Sequence, residues 1–287
     1  MSEGGRLAEL ARYLELGNLG LNLPFALAFL FVASNGWPNV RVLLLVLVAF
    51  VGARTAGHSF NRWADREYDR RNPRTRSRAV AAGRYPPGFA LGLTAAGAGV
   101  LLAAAYLLNP LALALAPVAL LLLIGYSYTK RVSSWTTPFL GLVESITPAA
   151  AYVAVRAALP ETAWWAVGGI LLWGTAFETI HSIGDLESDR ALGLRSLPLA
   201  LGRDPSLRLV PVLHGAGLIF LGAYGALAGL GWPYYLGLLA IGAGAAEADL
   251  QLLRDPAGTR RAFRRHFLLA LFFLVGAIGA LWVAGRF

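Results

Sequence analysis

The feature that most constrains this chain is its series of long apolar stretches, separated by short segments that hold most of the charged residues. An α-helix needs about 20 apolar residues to cross the hydrocarbon of a bilayer, and it satisfies its own backbone hydrogen bonds there. By this measure we predict nine spans, with kinks at Pro24, Pro148 and Pro211. The spans cover approximately residues 18–35, 41–64, 87–107, 110–126, 136–157, 162–184, 208–229, 233–251 and 266–285.

Composition excludes a soluble domain, because 57% of the residues are hydrophobic and only 14% are charged. We expect an all-α integral membrane protein, with one domain over residues 1–287 and nine transmembrane helices around a central cavity. Residues 1–16 are amphipathic and lack the apolar core of a cleavable signal, so we expect an interfacial helix there. The absence of Cys excludes disulfides, a thiol nucleophile and a Cys-ligated metal.

The basic residues predict the orientation of the chain, because Lys and Arg prefer the cytoplasmic side of a membrane. With the N-terminus inside, 21 of the 25 Lys and Arg residues fall in inside segments, Arg54 lies within a span, and Arg41, Arg156 and Arg286 fall outside. We therefore predict a cell-membrane protein whose N-terminus and two charged loops, about residues 65–86 and 185–207, are cytoplasmic. This distribution accounts for the net charge of +9. Because the basic residues lack interleaved aromatic ones, we predict no nucleic-acid partner.

An internal repeat lies at the cytoplasmic ends of the second and sixth predicted spans. Each span ends in the pattern Asp-x-Glu-x-Asp-Arg, at residues 65–70 and again, 120 positions later, at residues 185–190. Each copy is followed by a basic loop that returns to apolar sequence. The repeat indicates a pseudo-duplication within the helical domain.

Helical spacing places the repeated aspartates together. Asn61, Asp65 and Asp69 follow one another at intervals of four residues, as do Asp185 and Asp189, so each set lines one helix face. Carboxylates stacked in this way repel each other near a bilayer unless a cation offsets their charge. Oxygen ligands without His or Cys suit Mg²⁺, which commonly shares its coordination shell with substrate phosphates. We therefore predict that Mg²⁺ and a diphosphate bind here.

An alternative is that these acids only form salt bridges with the neighbouring Arg residues. We favour that interpretation for Glu67 and Glu187, because both point away from the aspartate face. Charge balance alone does not explain two matching aspartate pairs at equivalent helix ends, so we assign the four aspartates to function.

The basic loop after the first motif contains five Arg residues within positions 70–78. Guanidinium groups bind phosphate oxygens through paired hydrogen bonds, so this loop can neutralise a diphosphate. Arg74 and Arg78 have the spacing to act together on a helical turn. The other three, Arg70, Arg71 and Arg76, have an equally good alternative as anchors to anionic lipid headgroups.

Three further positions are candidates for the site. Lys130, four residues after Tyr126, can reach the same phosphates or can serve as a topology anchor. Arg54 lies within the second span on one stripe with His58, Asn61 and Asp65, and an Arg at that depth needs an anionic partner such as Asp65 or a substrate. In the sixth span, Glu178 and His181 are either supports for Asp185 or a hydrogen-bonded interior pair.

The two motifs resemble the aspartate motifs of the UbiA superfamily of intramembrane aromatic prenyltransferases. Two loop sequences are similar to the branch that acts on 4-hydroxybenzoate and related quinone precursors: Asn-Pro-Arg-Thr at 72–75, with Arg78 and Gly83 after it, and Gly-Leu-Arg-Ser-Leu-Pro at 193–198. The nine-span layout matches as well, so the resemblance covers nearly the whole chain. The sequence departs from that branch at 79–83, where a Leu-Pro usually precedes the Gly, and at Glu178 and His181, where Asp and Tyr are common.

The resemblance implies a role for each candidate residue. The four aspartates would hold Mg²⁺ on the diphosphate with help from Asn61, and Arg54 would orient the acceptor. The diphosphate or its surroundings would be contacted by Arg74, Arg78, Tyr126 and Lys130. The implied reaction is Mg²⁺-dependent transfer of a polyprenyl group to an aromatic acceptor, either 4-hydroxybenzoate or a related precursor of ubiquinone or another quinone.

This chemistry would proceed by ionisation of the allylic C–O bond and capture of the cation by an electron-rich ring carbon, in a site that excludes water. Two other functions fit part of the sequence. A transporter also shows internal repeats and intramembrane charges, although carriers usually bind near the bilayer midplane. A non-catalytic scaffold for isoprenoid lipids is the other. The acceptor can also be non-aromatic, for example a glyceryl lipid.

Overall fold

A computed structural model describes residues 9, 13–14, 19–255 and 258–287. The predicted interfacial helix at 1–16 therefore lies mostly outside the described residues. Within the described ranges the chain is entirely helical, without β-strands. Thirteen helices are present there. In chain order they are α1 (Leu19–Ser34), α2 (Val40–Ala64), α3 (Arg66–Arg71), α4 (Pro87–Leu108), α5 (Pro110–Val132), α6 (Thr136–Glu144), α7 (Ile146–Arg156), α8 (Glu161–Gly184), α9 (Leu186–Ala191), α10 (Leu197–Leu201), α11 (Arg203–Leu227), α12 (Trp232–Arg254) and α13 (Thr259–Val283).

The long helices correspond to the nine predicted spans when α6 and α7 are taken as one, which confirms the all-α membrane fold. Six spans of the described chain are long and apolar enough to cross a membrane: α2, α4, α5, the α6–α7 pair, α11 and α12. Helices α1 and α13 contribute shorter apolar segments, Asn22–Ser34 and Leu268–Val283. Helix α5 continues to Val132, beyond the predicted end at residue 126, because polar residues extend it past its apolar stretch.

The predicted fifth span is interrupted at Ser145, between α6 and α7. Pro148 explains the break, because a proline lacks the N–H that would bond to the carbonyl four residues earlier, which is that of Glu144. The other two prolines at which we predicted kinks, Pro24 and Pro211, lie inside α1 and α11.

Contacts divide the chain into two compact units. The first unit comprises Met1–Leu19 and Leu44–Tyr128, and the second comprises Gly20–Leu43 and Thr129–Phe287. The prediction of one domain over 1–287 stays a prediction. The first aspartate motif belongs to the first unit, and the second motif belongs to the second.

In the first unit, α2 and α4 approach each other at two glycines. A Cβ atom on Gly97 would lie 2.6 Å from the Ala56 nitrogen and 2.7 Å from the Gly52 oxygen. Small residues allow such close backbone contact between helices in a membrane. Ala56 and Leu101 belong to the apolar cluster beside this crossing. The crossing fixes the helix that leads to the first motif.

Tyr13 packs within the same unit against Arg62. Its carbonyl accepts a hydrogen bond from Nε of Arg62 at 3.1 Å, and its ring lies 5.2 Å from the Arg62 guanidinium carbon. The rings of Tyr85 and Phe89 contact the other side of Tyr13. Arg62 is thereby buried with its Nε hydrogen-bonded.

The second unit contains a buried polar cluster formed by α11, α12 and α13. His214 Nδ1 lies 2.8 Å from Asp249 Oδ2, and its Nε2 lies 3.3 Å from Nε2 of His266. All three side chains are at most 3% exposed. The rings of Trp173 and Phe177 on α8 pack against the histidines. The cluster therefore brings α8, α11, α12 and α13 into contact around hydrogen-bonded side chains.

Candidate active site

The first motif occupies a joint between two helices. Asp65 separates α2 from α3 with φ −92° and ψ 7°. Backbone hydrogen bonding continues through the joint, because the Asp65 nitrogen donates to Asn61 O and the Asp69 nitrogen donates to Asp65 O, both at 2.8 Å. The predicted spacing of four residues is therefore kept, although the helix is distorted at Asp65.

The second motif repeats this backbone conformation, although the Asp185 nitrogen donates to Ser182 O, three residues earlier, at 3.2 Å. Asp185 separates α8 from α9 with φ −103° and ψ 1°, and the Asp189 nitrogen donates to Asp185 O at 2.8 Å. In both copies the second aspartate is the fourth residue of a six-residue helix. The sequence repeat is thus also a repeat of backbone conformation.

The repeated acids differ in exposure according to their position. Asp69, Asp185 and Asp189 are 6%, 5% and 2% exposed, whereas Glu67 and Glu187 are exposed. Glu67 forms an ion pair with Arg70 at 3.0 Å, which agrees with the salt-bridge interpretation for this residue.

Asn61 supports Asp65 within the first unit. Its Nδ2 donates to Asp65 Oδ2 at 2.7 Å and contacts the hydroxyl of Ser127 at 3.4 Å. Ser127 is buried and lies on α5. The sequence interpretation included Asn61 but missed Ser127, because a single Ser near a helix end carries no distinctive pattern.

Arg78 is the direct partner of Asp69. Its Nη1 lies 2.9 Å and 3.1 Å from the two carboxylate oxygens. The loop between them is fixed by Thr75, whose nitrogen donates to Asn72 O at 3.1 Å and whose hydroxyl donates to Asp69 O at 3.4 Å. Residues 73–78 form turns and a bend rather than a helix, so Arg74 and Arg78 do not share the regular helical turn that their spacing predicted. Arg74 is exposed.

The remaining candidates of the first unit are Arg54 on α2 and Tyr126 on α5. Both are partly buried. Arg54 lies on the same helix as Asn61, 11 residues before Asp65 joins α2 to α3. Their assignment to acceptor and diphosphate stays a prediction.

In the second unit, Lys130 lies beside Asp189. Its Nζ is 3.4 Å from Asp189 Oδ2, and the two side chains are 23% and 3% exposed. The contact brings the end of α5 to the second motif across 59 positions of sequence. An ammonium group is therefore present at the buried aspartate.

The carboxylate of Glu178 lies 3.3 Å from Nδ1 of His181, so the two residues are paired, and the contact of His181 with Asp185 is compatible with the alternative that they support Asp185. Nε2 of His181 also lies 4.0 Å from Asp185 Oδ2, so the pair leads to the motif. Glu144 is a further acid that the sequence interpretation missed. It packs so closely against Gly174, one helical turn before Glu178, that a Cβ atom at Gly174 would collide with its carboxylate. Its signal was an acid inside a predicted span.

The donor set fits a hard divalent cation. Each motif supplies two aspartates joined by one helical turn. The chain has no Cys, and His181 lies 4.0 Å from Asp185 of the second motif. In neither unit do the described residues gather three His, Asp or Glu side chains into a group that could hold a metal ion. Two aspartates one helical turn apart are a donor set that suits Mg²⁺, which binds through one or two carboxylates and completes its shell with water and phosphate oxygens.

Comparison with known proteins gives consistent matches. The sequence model of the UbiA prenyltransferase family matches residues 22–277. A 4-hydroxybenzoate octaprenyltransferase from Nitrosococcus oceani is 35% identical over 236 residues, 82% of this chain and 82% of that protein. The fold is shared with a UbiA homolog from Aeropyrum pernix K1, with a TM-score of 0.83 and 27% identity over 94% of this chain and 98% of that one. It is also shared with a UbiA homolog from Archaeoglobus fulgidus solved with DMAPP and Mg²⁺, with a TM-score of 0.75 and 17% identity over 95% and 99% of the two chains.

Proposed function

Because this chain belongs to the UbiA prenyltransferase family, we propose that it transfers a polyprenyl group from an isoprenoid diphosphate to 4-hydroxybenzoate or a related aromatic quinone precursor. The observation that carries the proposal is the repeated joint, in which Asp65 and Asp185 adopt the same conformation and each precedes a buried aspartate by four residues. The name of the relative from Nitrosococcus oceani supports the choice of acceptor and a place in ubiquinone biosynthesis. The family match favours an enzyme over the transporter and scaffold alternatives.

The four aspartates are proposed to hold Mg²⁺, with Asn61 orienting Asp65 through their 2.7 Å hydrogen bond. When bound, Mg²⁺ would offset the negative charge of the diphosphate and favour its departure. The buried aspartates Asp69 and Asp189 cost free energy unless cations accompany them. In their present contacts that role is filled by Arg78 and Lys130.

Arg78 and Lys130 are proposed to contact the diphosphate as well. A guanidinium has five N–H donors and an ammonium has three, so each can bind a phosphate oxygen while keeping its aspartate. Arg74 is exposed on the same loop and, with Tyr126, completes the proposed diphosphate contacts. Fixed positive charge placed where negative charge develops lowers the barrier to C–O ionisation.

The acceptor is proposed to be held by Arg54, whose guanidinium would pair with the carboxylate of a hydroxybenzoate. The allylic C–O bond would break first and release diphosphate. The ring carbon next to the activating hydroxyl would then capture the allylic cation, form the new C–C bond and lose its proton to water or to the released diphosphate. Apolar helix surfaces keep water away from the allylic cation, and the prenyl tail would lie in lipid. We also propose that the protein resides in the cell membrane, with its N-terminus and both motifs on the cytoplasmic side.

The test is transfer by the purified protein in lipid vesicles. Radiolabelled polyprenyl diphosphate, Mg²⁺ and 4-hydroxybenzoate should give a lipid-soluble prenylated acid, and EDTA should stop its formation until Mg²⁺ is restored. Asp185→Asn should reduce kcat by about 100-fold or more, since it removes charge that acts in the transition state. Glu187→Gln, a matched change at an exposed position of the same motif, should leave kcat within about twofold.

Two results would refute the proposal. Turnover that persists in EDTA, or in Asp185→Asn, would remove the metal and site assignments. Transfer to a glyceryl phosphate acceptor but to no hydroxybenzoate or naphthoate would replace the aromatic acceptor with a lipid one. An acceptor series against one diphosphate separates these cases.

A further inference from the structure

The loop that follows the second motif has no role in the chemistry proposed above. The loop turns directly after the motif, where the Leu194 nitrogen donates to Asp189 O at 2.9 Å. Gly193 makes this possible with φ +67°, a conformation that residues with a side chain rarely adopt. The loop is therefore hydrogen-bonded directly to the backbone of Asp189.

Arg195, the next residue, is bonded to the end of α5. Its backbone nitrogen donates to Lys130 O at 2.7 Å, and its Nη1 donates to Val132 O at 2.9 Å. The last carbonyls of a helix have no partner within the helix, and a cationic side chain there is favourable. Thr136, which is fully buried, returns a hydrogen bond from its hydroxyl to Arg195 O at 3.2 Å. Arg195 is thus hydrogen-bonded through its backbone nitrogen, its side chain and its carbonyl.

The backbone bonds of Leu194 and Arg195 hold the two residues of one ion pair, Asp189 and Lys130. The Lys130 ammonium lies 3.4 Å from Asp189, and the two residues have their main-chain carbonyls bound by neighbouring nitrogens, those of Arg195 and Leu194. The flexible lysine side chain would otherwise sample many rotamers, at an entropic cost when it is held in one place. A fixed backbone at Lys130 keeps the base of the side chain in one place relative to Asp189, so the ammonium reaches the carboxylate from a constant position.

We propose that Arg195 is a positioning residue, which holds the end of α5 so that Lys130 stays at Asp189 and faces the diphosphate. The inference rests on the proposed function and extends it to a residue that touches no substrate. Its backbone bond to Lys130 is kept in every substitution except proline, so the side-chain bond to Val132 is the part that Arg195→Ala removes.

The experiment measures Mg²⁺-dependent equilibrium binding of geranyl diphosphate to purified protein, together with KM for the prenyl diphosphate and for the acceptor. Arg195→Ala should weaken diphosphate binding and raise its KM by about three- to tenfold, the effect of losing one hydrogen bond to a carbonyl. KM for the acceptor should not change. Arg195→Lys should recover part of the loss, because an ammonium can also bind a helix-terminal carbonyl.

The matched control is Arg208→Ala, which removes the same charge from an exposed position on α11. It should bind the diphosphate as the unmodified protein does. A double-mutant cycle with Lys130→Met completes the test. If Arg195 acts through Lys130, Arg195→Ala should add little to the loss already caused by Lys130→Met.

Three outcomes would contradict the inference. They are unchanged diphosphate binding in Arg195→Ala, an equal loss in Arg208→Ala, and full additivity with Lys130→Met accompanied by a lower unfolding temperature. Failure of the unmodified protein itself to bind geranyl diphosphate would overturn the proposed function and this inference with it. The binding measurement therefore distinguishes the two failures without relying on turnover.

Discussion

Nη1 of Arg78 lies within 3.1 Å of both carboxylate oxygens of Asp69, nine positions earlier in the chain. Asp189, the equivalent acid of the second motif, has Lys130 at 3.4 Å instead, 59 positions away. The acids are therefore repeated in sequence and conformation, whereas their cationic partners come from unrelated parts of the chain. The repeat therefore includes the proposed metal ligands but not the cationic side chains that offset their negative charge.

Removing the partner of Asp69 should affect both stability and substrate binding. Arg78→Ala leaves a buried carboxylate without its hydrogen bonds, which costs about 1–3 kcal/mol of unfolding free energy, and it should raise KM for the diphosphate. Arg78→Lys keeps the charge and should recover part of both. Thermal unfolding in detergent and steady-state kinetics measure the two effects. Arg76→Ala, an exposed change in the same loop, is the control; equal effects in both variants would argue against the specific pair.

The crossing of α2 and α4 should be sensitive to a single methyl group. Gly97→Ala places Cβ within 2.7 Å of backbone atoms on α2, which cannot move aside, and overpacking of this kind costs about 1–3 kcal/mol. Gly99→Ala, two residues further along the same helix, meets no atom within 4 Å. We expect Gly97→Ala to lower the unfolding temperature and Gly99→Ala to leave it unchanged or raise it slightly. Similar temperatures for the two variants would show that the helices do not approach closely here.

The buried cluster around His214 should contribute to stability rather than to substrate binding. Asp249→Ala removes the hydrogen-bond partner of His214 and should cost about 1–3 kcal/mol, with KM for the diphosphate unchanged. Glu247→Ala is the control, because it removes an exposed acid from the same helix and surface pairs contribute less than about 1 kcal/mol. Unfolding temperature and KM should be measured on both variants. A raised KM in Asp249→Ala without loss of stability would assign the cluster to the site.

The proposed orientation can be tested directly because the chain contains no Cys. Single substitutions Glu187→Cys and Glu161→Cys introduce thiols at exposed positions on the two predicted sides of the membrane. An impermeant maleimide added to intact cells should label Glu161→Cys only, and permeabilised cells should show labelling of both. Labelling of Glu187→Cys in intact cells would reverse the proposed topology.

The long helices were predictable from sequence because lipid imposes one requirement, a sufficient run of apolar residues in a hydrogen-bonded helix. The motif was predictable for a similar reason, since Asp65 and Asp69 keep a spacing that depends only on local hydrogen bonds. The sequence predicted a kink at Pro148, but predicting its position at Ser145 required knowing which carbonyl Pro148 leaves without a hydrogen bond. The extension of α5 to Val132 depends on polar residues that hydropathy does not count.

The partners of the motif could not be predicted in the same way, because they depend on tertiary contacts. Lys130 was a candidate by its position, but only the fold selects Asp189 from the acids near it. Glu144 was visible as an acid within a span, whereas Ser127 and the carbonyl contacts of Arg195 have no counterpart in residue type or spacing. Hydrogen bonds to the main chain are independent of the sequence that supplies the acceptor.

The contact between Tyr13 and Arg62 has a practical consequence for handling the protein. Tyr13 seals a guanidinium that is only 5% exposed, and Glu9 pairs with Arg84 at 2.7 Å nearby. A truncation designed to begin at the first membrane-spanning helix would remove Tyr13 and uncover that guanidinium. Fusion partners and affinity tags should therefore be joined upstream of Glu9, so that the contacts of Glu9 and Tyr13 are kept.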